Sequence, residues 1–199
     1  MRLRGYTLTE TCVACACFLL MLSGLYVVYV LGVRYLRMAE TQSRLQQQAS
    51  IAMQKLTLEL SLGIDDPGAV AVGATPGYVA FLSSVATDGL TSYSPSGKLQ
   101  WQNWICYFKS GAQLSRTEIP VSSGPLVRPF ASLTPPNLGV FQAVLGNYRR
   151  TMSDCLDSFS VTKSAAGVYH ITLATSLPGV DGNRLCKTQL ATDVFLINN

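Results

Sequence analysis

Glu10 is the residue in this chain with the most pointed chemistry. It stands at the head of an apolar run, Thr11 to Val33, that carries no other charge until Arg34. The run is 23 residues long, and as a helix it would extend about 35 Å, enough to cross a hydrocarbon core of about 30 Å. A carboxylate at such a boundary either stays in interfacial water or finds a cation, because burying it in lipid costs about 3 kcal/mol. The other candidates carry weaker signals. His170 is the only histidine and lies in a strand-like stretch, which favours a surface or satisfied strand residue over a catalytic base. Asp65 and Asp66 precede Pro67-Gly68, a setting that suits a turn better than a calcium site. Trp101, Trp104 and Tyr107 have the ring chemistry to stack on a sugar or a base, but core filling in a small sheet is favoured.

Enzymatic chemistry has little support beyond these. There is no Gly-x-Ser-x-Gly elbow, no phosphate-cradling glycine loop with a lysine, and no His or Cys pair at zinc spacing beyond the apolar run. The reading is therefore of a protein that is not an enzyme and needs no cofactor. A net charge of +4, halved if Arg2 and Arg4 are removed, is too small to argue nucleic-acid binding by itself. Of six cysteines, Cys12, Cys15 and Cys17 sit in the apolar run and read as small buried hydrophobes. Cys106, Cys155 and Cys186 lie beyond it, where one disulfide is expected between Cys155 and Cys186, with Cys106 as the alternative partner.

These residues need a scaffold. Arg34 to Leu62 is rich in helix formers and has no Pro or Gly before Gly63, so the membrane segment is expected to continue as one long helix. Leu45, Ala49, Ala52, Leu56 and Leu60 form one apolar stripe, and Ile51, Leu58 and Leu62 are expected to widen it toward a covering sheet. After Gly63 the texture changes to short strands: Tyr78 to Ser83, a hairpin of Leu99 to Lys109 with Gln113 to Val121, a second hairpin of Leu156 to Lys163 with Val168 to Thr175, and Gln189 to Ile197. The proline-rich stretch between Pro125 and Asn137 reads as an irregular connection, and Phe141 to Tyr148 as a short helix or further irregular chain. The class is α+β. The expected divisions are 1–5, a leader; 6–33, the membrane half of the helix; 34–62, its outer half; and 63–199, a β-rich domain.

The start, Arg4-Gly5-Tyr6-Thr7-Leu8-Thr9-Glu10, inverts the order of an ordinary secretory signal by placing the cleavable glycine before the apolar run. It resembles the N-terminus of type IV pilins and type II secretion pseudopilins, with Tyr6 where Phe is commoner. The pieces Met53 to Leu60, Ile105 to Arg116 and Val194 to Asn199 resemble minor pseudopilins of the J type and W-type minor pilins, although Ile197 stands where Arg is usual. The resemblance implies a pilin fold, a helical spine packed on an antiparallel sheet. It further implies cleavage after Gly5 by a prepilin peptidase, N-methylation of Tyr6, and pairing of Glu10 with the new α-amine of a neighbouring subunit.

Its partners would then be that peptidase, other major and minor pilins or pseudopilins, an inner-membrane assembly platform and membrane lipid. The location implied is a bacterial cytoplasmic membrane, crossed once, with the C-terminal domain outside. Arg34, Arg37 and Arg44 leave orientation open on charge alone. Two other functions stay open at this level. A DNA-uptake or adhesive tip would cluster Arg149-Arg150 with exposed aromatics, and a plain membrane-anchored binding module would keep its leader.

Overall fold

A computed structural model describes residues 7–85, 90–128, 130, 133–144, 146–178 and 185–196. Its first element, α1 (Leu8–Ser61), is a single helix of 54 residues, about 81 Å long. Thr7 caps the start, and Leu62 and Gly63 close the end, where the Gly63 amide donates to the Leu60 carbonyl at 2.9 Å. A side chain at Gly63 would meet that same carbonyl at 2.9 Å, so the exit from the helix requires a glycine.

Among the described residues ten strands follow: β1 (Val70–Ala74), β2 (Gly77–Ser83), β3 (Gln100–Trp101), β4 (Asn103–Ser110), β5 (Gln113–Pro120), β6 (Leu126–Val127), β7 (Arg149–Ser153), β8 (Leu156–Lys163), β9 (Tyr169–Pro178) and β10 (Leu185–Val194). A short helix, α2 (Leu138–Ala143), is capped by the Asn137 side chain. The strands form a five-stranded sheet in the order β1-β2-β4-β5-β7, a three-stranded sheet β10-β9-β8, and the small pair β3-β6. Every pairing is antiparallel. The architecture is therefore α+β, a long helix packed on antiparallel sheets.

Two cores explain why β2 and β4 are apolar on both faces. On one side Ala49, Ala52, Met53, Leu56 and Leu60 of α1 pack against Val79, Phe81, Ile105 and Tyr107 of the large sheet and against Phe159, Ile171 and Leu173 of the small one. On the other side Ala80, Leu82, Trp104, Cys106 and Phe108 meet Trp101, Phe141 and the irregular connection after β5. Such two-sided burial produces the near-continuous apolar runs of those strands. The sheets meet where β8 packs beside β1 and β2. A Cβ at Gly77 would fall 1.9 Å from the Phe159 carbonyl, so glycine permits this approach.

The expected hairpins are present, with adjusted ends. Strand β9 runs on to Pro178, and the last strand spans Leu185–Val194 rather than Gln189 to Ile197. Strands β1 and β7, and the two-residue β6 inside the proline-rich connection, were not anticipated. The expectation for Ile51, Leu58 and Leu62 is overturned: they are 53, 63 and 37% exposed, because the sheets cover only the Leu45 to Leu60 stripe.

Candidate functional site

At the helix start the chain closes a capping box, built from a Thr at N-cap and a Glu three residues on. The Thr7 amide donates to Glu10 Oε2 at 2.9 Å, and the Glu10 amide donates to Thr7 Oγ1 at 3.4 Å. The Thr7 hydroxyl also donates to Glu10 Oε2, at 3.0 Å. Negative charge here complements the helix dipole. Gly5 and Tyr6 lie outside the described residues. From Leu8 to Arg44 no residue of the helix is buried, and Leu19, Leu20 and Met21 are 65, 72 and 72% exposed. This is one N-terminal helix long and apolar enough to span a membrane.

At the far end of α1 lies a polar cluster that the sequence reading missed. Arg116 of β5 donates through Nε to both Glu59 oxygens, at 3.1 and 2.8 Å, and through one Nη to Glu118 Oε2 at 3.1 Å. Tyr107 donates to Glu59 Oε2 at 2.9 Å, and Asn103 to Glu118 Oε1 at 2.8 Å. Burial, reinforced by the neighbouring Glu59 charge, pushes the Tyr107 hydroxyl well above its ordinary range. Burial pulls the Arg116 guanidinium down, but its hydrogen bond to Glu59 and the surrounding carboxylates more than reverse this. The signal available in the sequence was Glu59 on the helix together with an alternating Arg116-x-Glu118, but only the fold brings them together.

Asp65 and Asp66 form no shared cation site; they face different partners. Asp65 accepts from Lys163 and from the Tyr169 hydroxyl, at 2.5 and 2.6 Å. Asp66 takes both forks of Arg128, at 2.9 and 2.5 Å. No cluster of metal-ligating side chains occurs among the described residues. His170 pairs across the sheet with Asp193, both well exposed. Trp101, Trp104 and Tyr107 are all buried, so none offers a stacking face. Arg149 lies over the Phe108 ring and donates to Ser110 and Ser115, whereas Arg150 is exposed in a strand where successive side chains take opposite faces.

The disulfide expected between Cys155 and Cys186 does not form; both are free thiols, as is the alternative partner, Cys106. Cys155 accepts through its carbonyl from Ser176 on one edge of β9, while Cys186 faces Leu177 from the other edge. An intervening strand puts about 10 Å between their backbones, beyond the reach of a disulfide. Cys106 is sealed in the second core, where burial pushes its thiol far up. Cys12, Cys15 and Cys17 lie on the bare half of α1, uncovered by the rest of the chain. No family model, curated protein or solved structure matches this chain.

Proposed function

We propose that this chain is a minor pilin or pseudopilin, a structural and assembly subunit of a type IV pilus or type II secretion pseudopilus with a pilin-type fold. The observation that carries this reading is Glu10: a carboxylate in the first turn of an uncovered apolar helix whose far half forms the spine of a β-rich domain. In this reading a prepilin peptidase clips the chain after Gly5 and methylates Tyr6. The chain then crosses the cytoplasmic membrane once, with the domain outside, and an inner-membrane platform passes it into the filament.

Glu10 is satisfied by its own helix terminus in the single chain, through Thr7. Cleavage creates a second claimant, the α-amine of an adjacent subunit, and a full positive charge outbids the partial charge of backbone N–H groups in a poorly screened setting. Exchange of the Thr7 partner for that amine is then the assembly step. The apolar face that lipid covers before assembly is covered afterwards by neighbouring helices.

Intact mass and N-terminal sequencing of membrane-extracted protein test the reading. A chain beginning at methylated Tyr6 is expected, and Glu10→Val should permit cleavage but abolish incorporation into filaments. Filaments that assemble normally from chains still beginning at Met1 would overturn it.

A further inference from the structure

A cleft of about 260 Å³ opens between the last turns of α1 and strands β2, β4 and β5. Its apolar walls are Leu58 and Leu62 on the helix side and Ile105 on the sheet side, and its polar lining is Ser83 with Arg116 set between Glu59 and Glu118. The volume suits a group the size of a large side chain, below the usual range for drug-sized ligands.

The hydrogen bonds already made restrict what can enter. Glu59 Oε2 accepts from both Arg116 and Tyr107, and the two Glu118 oxygens accept from Asn103 and Arg116. On the donor side, Arg116 uses Nε and one Nη, and its other Nη nitrogen has no hydrogen-bond partner among the described residues. The Arg116 side chain is 11% exposed and lines the cleft, and that nitrogen is not sealed from solvent. It therefore reaches solvent at the cleft. A guanidinium has five donors and no acceptor, so three N–H groups stay open, two of them on that nitrogen. An incoming anion would face two carboxylates, and an incoming cation would face the guanidinium.

We infer that this cleft is a binding site for a neutral apolar group carrying a carbonyl oxygen, with the carbonyl on the open Arg116 nitrogen and the apolar body between Leu58, Leu62 and Ile105. Either a small free amide or the backbone of an apolar peptide residue has this chemistry.

The test uses the full chain in lipid nanodiscs with labelled Leu and Ile methyl groups. Four probes are titrated: isovaleramide, isovalerate, isoamylamine and N-acetyl-leucine-N-methylamide. The three small probes share one apolar body and differ only in the head group. Isovaleramide is expected to shift the Ile105 and Leu58 methyl signals and to bind about tenfold more tightly than either charged analogue. Arg116→Lys, which keeps the charge but loses the fork, should weaken the amide about tenfold. Leu58→Gln, at an exposed position, should weaken it comparably while the Leu56 signal stays in place. A capped leucine that binds about tenfold better than isovaleramide identifies a peptide as the source, and equal binding identifies a free amide. Equal binding of all three head groups, preference for the acid or the amine, or unmoved methyl signals at saturating probe would overturn the inference.

Discussion

The two halves of α1 are one uninterrupted helix and meet opposite surroundings. From Leu8 to Arg44 nothing is buried, and the large apolar side chains face outward. From Leu45 to Leu60 every buried residue of the helix lies on one stripe, and Leu45, Leu56 and Leu60 are fully enclosed. Leucine serves both halves, so leucine content does not separate them. What separates them is periodicity: an all-round apolar surface suits lipid, whereas a stripe suits a protein core on one side and water on the other. Ile51, Leu58 and Leu62 sit between the two cases, apolar residues on the outer half that no sheet covers.

Substitutions can break this comparison. Leu56→Ala should cost the domain about 4 kcal/mol, whereas Leu20→Ala should leave domain unfolding unchanged; chemical denaturation of the full chain in detergent measures both. A loss at Leu20 similar to that at Leu56 would mean that the proximal half is covered by protein after all. Glu59→Gln should come next, at about 3 kcal/mol, because it leaves Arg116 in a largely buried position without its main partner.

A pH series sharpens the same point. Tyr107 holds its proton more tightly in the folded domain than the unfolded chain does. The resulting stability is fully present below the ordinary tyrosine value of about 10 and is lost as pH rises above it. Thermal melts from pH 7 to 11 should fall only at the alkaline end, and Tyr107→Phe should flatten part of that fall.

Thiol labelling in membranes distinguishes the halves without mutation. Cys12, Cys15 and Cys17 should react only with a lipid-soluble maleimide, and half-buried Cys155 and Cys186 with a water-soluble one. Cys106 should react with neither until the domain unfolds. The smallest effect is expected at Ile51→Ser, under about 0.5 kcal/mol on domain stability. If the filament reading holds, that variant should still lower incorporation into filaments.

Most of the fold was legible because its signals are local. The stripe from Leu45 to Leu60, the break at Gly63 and the hairpin turns at Ser110-Gly111 and Ala165-Gly167 all follow from residues near one another in sequence. Strands β1 and β7 escaped because Val70–Ala74 is short and Arg149–Ser153 is polar, so neither carries the alternation that marks a half-buried strand. Cys155 and Cys186 were misjudged because pairing depends on which strand lies between them, which spacing along the chain does not encode. The Glu59, Arg116 and Glu118 cluster was hidden for the same reason, joining positions far apart in sequence. The capping box of Thr7 and Glu10 was not anticipated, although both members lie within one helical turn.

The corner after α1 has a mechanical consequence. Asp65 grips the small sheet through Lys163 and Tyr169, and its neighbour Asp66 grips the proline-rich connection through Arg128. Tension drawn along the rod therefore enters the domain at two points at once and is shared between separate bodies of the fold.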